Sequence, residues 1–149
     1  MDALELLIEE HKEAKALFKR IEQTNGPKEA QRLFNELKAA LELHEQLEET
    51  HLYPPLKEEE KTEDLVLEAY EEHHVADLLL AEISQLDPSD ETWRPKVKVL
   101  QENIEHHIEE EEGELFPKVR RLWNKSRREE VGARMQEMKQ QHLAQQRAA

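Results

Sequence analysis

The chain has 149 residues, enough for one domain with a real core, and its 38% charged residues, 37% hydrophobic residues and 3 glycines favour helix over strand. A net charge of −14 repels nucleic acid and anionic membranes, and the absence of cysteine excludes disulfides, thiolate ligands and iron–sulfur clusters. No apolar run approaches membrane-spanning length, and Leu4 to Ile8 is broken by Glu5 and followed by Glu9, Glu10 and His11, so no signal peptide is read and a soluble cytoplasmic protein is expected.

A first helix is predicted from about Asp2 to Gln23, with Asp2 and Glu5 as a capping box and the stripe Leu4, Leu7/Ile8, His11, Ala14, Phe18, Ile21. Asn25-Gly26 ends it, and Pro27 suits the first turn of the next helix. That second helix carries Leu33/Phe34, Leu37, Leu41, His44, Glu48 and His51/Leu52, and Pro54-Pro55 ends or kinks it. After a charged linker from Lys57 to Glu63, a third stripe reads Val66, Ala69/Tyr70, His73, Ala76/Asp77, Leu80, Ile83. The turn Asp87-Pro88-Ser89-Asp90 follows. A fourth helix reads Trp93, Val97, Leu100, Ile104, His107/Ile108, Glu111, Leu115, with a kink or end at Pro117. A fifth, weakly patterned basic helix is placed from about Ser126 to Gln146.

Charge divides the chain. Residues 1–124 carry 15 basic and 32 acidic side chains, net −17, whereas residues 125–149 carry 6 and 3, net +3. The reading is a helical body over 1–124 and a basic helix or tail over 125–149, which can lie against an acidic face of the body or of a partner.

The two halves repeat. His44-Glu45-Gln46-Leu47-Glu48 with Leu52-Tyr53-Pro54 aligns with His107-Ile108-Glu109-Glu110-Glu111 with Leu115-Phe116-Pro117, and Glu10-His11 aligns with Glu72-His73. A duplicated helical hairpin is one way to build a pseudo-two-fold site inside a bundle.

His11, His44, His73 and His107 each continue an apolar stripe, and Glu48 and Glu111 follow a histidine by one turn on the same helix face. One histidine on an apolar face is usually a satisfied core residue. Four of them at matched depths, two with glutamate one turn later, point to metal. Burying two unpaired carboxylates costs several kcal/mol each, order of magnitude, and bound cations are the simplest counter-charge. Imidazole with carboxylate suits iron, manganese or zinc rather than calcium or magnesium. Two glutamates and four histidines can hold two ions, with both carboxylates bridging and positions left for water, an oxo bridge, dioxygen or peroxide.

Other candidates stay open at this point. Tyr70, one turn before His73, can pack or donate to a bound species. His51 shares the face of His44 and Glu48 and is either an added ligand, a partner to one, or part of a solvated helix end. Asp77, one turn after His73, has the same range of roles. Tyr53 is read as packing, the run Glu109 to Glu112 as a solvated face apart from Glu111, and His74, His106 and His142 as boundary or surface residues.

On both HxxxE repeats, both Glu-His openings and both aromatic-Pro endings, residues 1–124 resemble the hemerythrin-like proteins with an HHE cation-binding domain. The resemblance implies an all-α, antiparallel up-down-up-down four-helix bundle, here with a C-terminal helical extension, around a non-haem di-iron site bridged by oxo or hydroxo. Carried over residue by residue, it implies His11, His44, Glu48, His73, His107 and Glu111 as metal ligands. Oxygen-carrying hemerythrins have a fifth histidine four residues after the third ligand, where this chain has Asp77. The implied function is therefore binding of dioxygen, peroxide or nitric oxide, with turnover as an oxidoreductase or without it. The alternative is a metal sensor or iron buffer acting through a partner. A structural bundle with a polar core is a third class.

Overall fold

The computed structural model describes residues 1–148; Ala149, the last residue of the expected tail, lies outside them. The described residues form α1 (Ala3–Gln23), α2 (Pro27–Leu47), α3 (Tyr53–Lys57), α4 (Glu63–Ser84), α5 (Trp93–Glu110), α6 (Phe116–Leu122) and α7 (Lys125–Ala148). Two π-helical turns interrupt this series, Glu48–Leu52 between α2 and α3 and Glu111–Leu115 between α5 and α6. No helix among the described residues is long and apolar enough to cross a membrane.

Local chemistry sets the ends. Asp2 caps α1 by accepting from the Glu5 N–H at 2.9 Å, while the Asp2 N–H donates to Glu5 Oε2 at 3.3 Å. Gly26 precedes Pro27 at the start of α2, where the missing proline N–H has no helical partner to lose. Between α4 and α5, Asp87 accepts from the Ser89 N–H and Asp90 from the Thr92 N–H, fixing the expected turn. Arg94 at the head of α5 then donates to the Ile21 and Thr24 carbonyls, satisfying the open C-terminal end of α1.

The prolines do not end the second helix. The chain stays helical through Pro54-Pro55 and through Pro117, and the register changes just before them, in the two π turns. Each turn closes with an i→i−5 bond, Tyr53 N–H to the Glu48 carbonyl and Phe116 N–H to that of Glu111. The wider turn spreads successive side chains over the inner face, and such turns gather at functional sites. Both begin on the glutamate of an HxxxE repeat, so the duplication seen in sequence extends to backbone geometry.

α1 packs along α2, and α4 along α5. Their apolar faces build two buried layers. One contains Leu4, Leu7, Leu47, Tyr53, Phe116 and Trp123. The other contains Phe18, Phe34, Leu37, Leu80, Trp93 and Leu100. In α1, α2 and α4 the histidine falls near the boundary between the stretches that feed these layers, and His107 of α5 lies at the end of its second-layer stretch with the first-layer residues Leu115 and Phe116 beyond it, so a polar stratum separates two apolar ones.

The basic segment is one continuous helix, α7, packed along α1 with contacts to α2 and the first π turn. Val131 and Met135 enter the first apolar layer. Arg128 Nε lies 3.3 Å from Asp2 Oδ2, and Lys139 Nζ lies 2.9 Å from Glu10 Oε2. Gly132 permits the close approach: a Cβ there would meet the Met1 carbonyl at 2.6 Å and the Ala3 nitrogen at 2.8 Å.

Candidate metal centre

α1, α2, α4 and α5 each contribute one histidine to the polar stratum, and the two π turns contribute Glu48 and Glu111. All six are buried, Glu48 completely and Glu111 to 2% exposure. Ligand atoms of His11, His44, Glu48 and Glu111 lie within 4.8 Å of one another, and so do those of Glu48, His73 and His107. Glu48 belongs to both groups. Glu111 reaches across them as well, with Oε1 at 3.2 Å from His11 Nε2 and Oε2 at 3.3 Å from His107 Nε2.

The outward nitrogen of every histidine meets a carboxylate. Nδ1 of His11 lies 2.7 Å from Glu112, that of His44 2.8 Å from Glu10, that of His73 2.7 Å from Glu49 and that of His107 2.6 Å from Glu72. An ionised carboxylate only accepts, so each Nδ1–H donates and each Nε2 faces inward. This is the arrangement that fixes ring orientation and raises basicity in metal-ligating histidines. The pairs obey the repeat, Glu10 with Glu72 and Glu49 with Glu112.

The donor set fits a metal. His44 Nε2 and Glu48 Oε2 are fully buried with no hydrogen-bond partner among the described residues. Such atoms cost free energy unless something meets their lone pairs. Imidazole and carboxylate at this depth suit a borderline transition-metal cation.

Without metal, protons take over the neutralising role. Burial alone lowers the pKa of His44, but Glu48 and Glu10 outweigh it and lift it to about 10. Burial opposes charge on His107 too, and Glu111, Glu48 and Glu72 carry it well above the usual imidazole range. Burial alone raises Glu48, yet the imidazolium of His44 and hydrogen bonds from its neighbours hold it well below the usual carboxylate range.

Tyr53, read from sequence as packing, stands at the centre. Its hydroxyl lies within hydrogen-bond reach of both Glu48, at 3.0 Å, and Glu111, which share its one proton, and lies 3.5 Å from His73 Nε2 and 3.4 Å from His107 Nε2. Burial, then Glu111 and Glu48, push the phenol well above its usual range, so it keeps its proton. The available signal was the one asymmetry in the aromatic-Pro endings, tyrosine at 53 against phenylalanine at 116.

Three other candidates lie elsewhere. Tyr70 is half-buried and packs edge-on against Tyr53 at 5.3 Å between ring centroids. His51 is carried off the inner face by the π turn and is half-buried; burial and then the charge of Arg134 lower its pKa. Asp77 is exposed and faces Glu45, not the cluster. Burial, followed by the hydrogen bond and charge of Asp77, pushes Glu45 up to about 9. Glu112 is not simply solvated, since it holds His11, and the half-buried His142 lines a cavity beside the histidines. His74 and His106 are exposed.

The sequence profile of the hemerythrin HHE cation binding domain matches residues 2–119. Over 123 residues, 80% of this chain, the sequence is 28% identical to a protein of Nostoc sp. described as a DNA nickase, and the match spans 34% of that protein's length. A crystal structure of a hemerythrin HHE cation binding domain-containing protein from Mycobacterium kansasii superposes with a TM-score of 0.82 at 26% identity, covering 99% of this chain and 93% of that one.

Proposed function

The chain belongs to the hemerythrin HHE cation-binding domain family, and from that premise we propose that it is a non-haem di-iron protein acting on dioxygen, peroxide or nitric oxide. The observation that carries the reading is the pair of overlapping ligand groups, His11/His44/Glu48/Glu111 and Glu48/His73/His107, each gathered within 4.8 Å. Two groups with a shared carboxylate suit two ions, which His11, His44, His73 and His107 would hold with Glu48 and Glu111 between them, leaving room for an oxo or hydroxo group. Zinc and manganese satisfy the same donors, and iron is chosen because the ligand implied is an oxidant. We further infer the antiparallel up-down-up-down arrangement for α1, α2, α4 and α5, with residues 1–124 as the metal-binding body and α7 as an extension.

When bound, the ions supply ligand binding and electron transfer. The protein's part is positional. Glu10, Glu49, Glu72 and Glu112 hold the Nδ1 protons and aim each Nε2 inward. Tyr53 holds a proton at Oη between the two central carboxylates. The apolar layers above and below exclude bulk water. Asp77, where an oxygen carrier has its fifth histidine, is exposed on the outside, which favours chemistry other than simple oxygen carriage. We assign no nucleic-acid partner, because a net charge of −14 repels phosphate.

The test is consumption of peroxide and of nitric oxide by the iron-loaded chain, beside the double variant His44→Ala/His107→Ala. Turnover lost in the variant supports the proposal, and equal rates in both refute it. A second reading, a metal sensor, is favoured by one contact chain: Lys139 on α7 pairs with Glu10, which holds His44. It predicts that hydrogen exchange across 125–148 changes with metal occupancy while peroxide and nitric oxide go unconsumed.

A further inference from the structure

A cavity of about 270 Å³ opens beside the four histidines, on the side away from the central carboxylates. His11, His44, His73 and His107 line its floor, whereas Glu48, Glu111 and Tyr53 do not line it. The surface it presents is mainly carbon, with Ala14 from α1, Ala40 from α2, Ile104 from α5 and Leu143 from α7 among the aliphatic residues of its walls. Dioxygen, hydrogen peroxide and nitric oxide have two heavy atoms each, comparable to a water molecule's share of roughly 30 Å³. The space far exceeds what they need. An apolar cavity of roughly 150 Å³ is enough to take benzene.

Charge restricts the guest. Glu10, Glu13, Glu36 and Glu72 stand around the walls, and among the described lining residues Lys139 is the one lysine or arginine, already paired with Glu10. An organic anion such as a fatty carboxylate meets repulsion there, and an organic cation loses its hydration against aliphatic walls. An uncharged, mostly apolar molecule is the chemistry that fits. α7 contributes to the outer wall through Lys139, His142, Leu143 and Gln146.

We propose that this cavity is a binding site for an uncharged, mostly apolar organic molecule of benzene size or somewhat larger, held between α7 and the imidazole floor. The site deepens the metal reading, on which it rests only for what the bound molecule faces. It adds a small organic guest, held against the imidazole rings, to the small oxidant of the metal reading.

Fluorobenzene is the probe, titrated against the full chain as purified and followed by fluorine NMR, with iron measured on the same sample. Saturable binding is expected, weakened about tenfold or more by Ala40→Phe, which narrows the cavity and replaces none of the six inward ligand candidates. Ala39→Phe, at an exposed position that also lines the cavity, is the second variant should the first fail to fold. Absence of saturable binding by a chain that carries iron overturns the proposal and leaves the metal reading intact. Binding unchanged in a folded Ala40→Phe or Ala39→Phe variant also overturns it. Saturable, variant-sensitive binding by a chain that holds no metal supports the cavity site and counts against the metal reading alone.

Discussion

Glu72 Oε1 lies 2.6 Å from His107 Nδ1, and this outer carboxylate sets which nitrogen of the ring faces the cluster. The contact predicts a mutation effect outside the six inner residues. Glu72→Gln keeps an acceptor oxygen but removes the charge that makes Nε2 basic. Iron affinity, measured by chelator competition, is expected to fall by about 10-fold or more. The fold should survive, because Glu72 is half-buried at the rim of the stratum.

Metal and protons compete for the same nitrogens. In the metal-free chain Glu48 and Glu10 raise His44 to about 10 against burial, above its ordinary 6.5. The stabilisation from that imidazolium is fully present below about pH 6.5 and is lost as pH rises through 10. The metal-free protein should therefore melt at lower temperature at pH 9 than at about pH 6. The rise in melting temperature on adding ferrous iron under argon should be larger at the higher pH, since fewer protons must be displaced there.

Glu45 runs the other way. Burial and Asp77 raise its pKa to about 9, so the fold prefers the neutral carboxyl. The resulting penalty is absent below about pH 4.5 and is complete above 9. Glu45→Gln, neutral at every pH, is expected to stabilise the metal-free chain by about 1 kcal/mol or more at pH 8 and by little at pH 4. Paired thermal melts at the two pH values measure this.

Tyr53→Phe removes the one O–H proton that Glu48 and Glu111 share. The pair of buried carboxylates then loses its common donor, and the metal-free chain should lose about 1–3 kcal/mol in denaturant titration. The loss should shrink when the site is loaded, because bound cations satisfy the same oxygens.

Gly132→Ala tests how α7 is held. Helix propensity favours alanine by about 1 kcal/mol. The added Cβ, however, would press on backbone atoms of Met1 and Ala3 at 2.6 and 2.8 Å, which have little room to yield. The clash should win, lowering the melting temperature by about 3–10 °C. Iron content should be unchanged, since no residue of the cluster lies on α7.

The sequence made the helices and the inward histidines readable because both follow the 3.6-residue period. The capping box at Asp2 and the turn at Asp87 are local chemistry, and both stand in the structure. The π turns were not read: each shifts the buried stripe by one residue, in the first from Leu47 and Glu48 to Leu52 and Tyr53, and the prolines just beyond offered a kink or helix end as the explanation. Their consequence misled the reading of Glu112, left Glu49 unnoticed and decides His51, which sequence had left open. They turn Glu49 and Glu112 toward histidine nitrogens, and they carry His51 away. Tyr53 was hidden by its neighbour Pro54, which suggested a helix end and not a site. The charge division of the sequence pointed to α7 lying on the acidic body, as Arg128–Asp2 and Lys139–Glu10 show, whereas its close seating through Val131, Gly132 and Met135 leaves no strong periodicity to read.

The central claim is that the inward side chains meet cations. Elemental analysis of the full chain, purified without added metal, tests it most directly. About two iron atoms per chain are predicted, falling to near none in His44→Ala/His107→Ala. A folded chain that carries no stoichiometric metal, and whose melting temperature does not move when iron is offered or stripped, would contradict it.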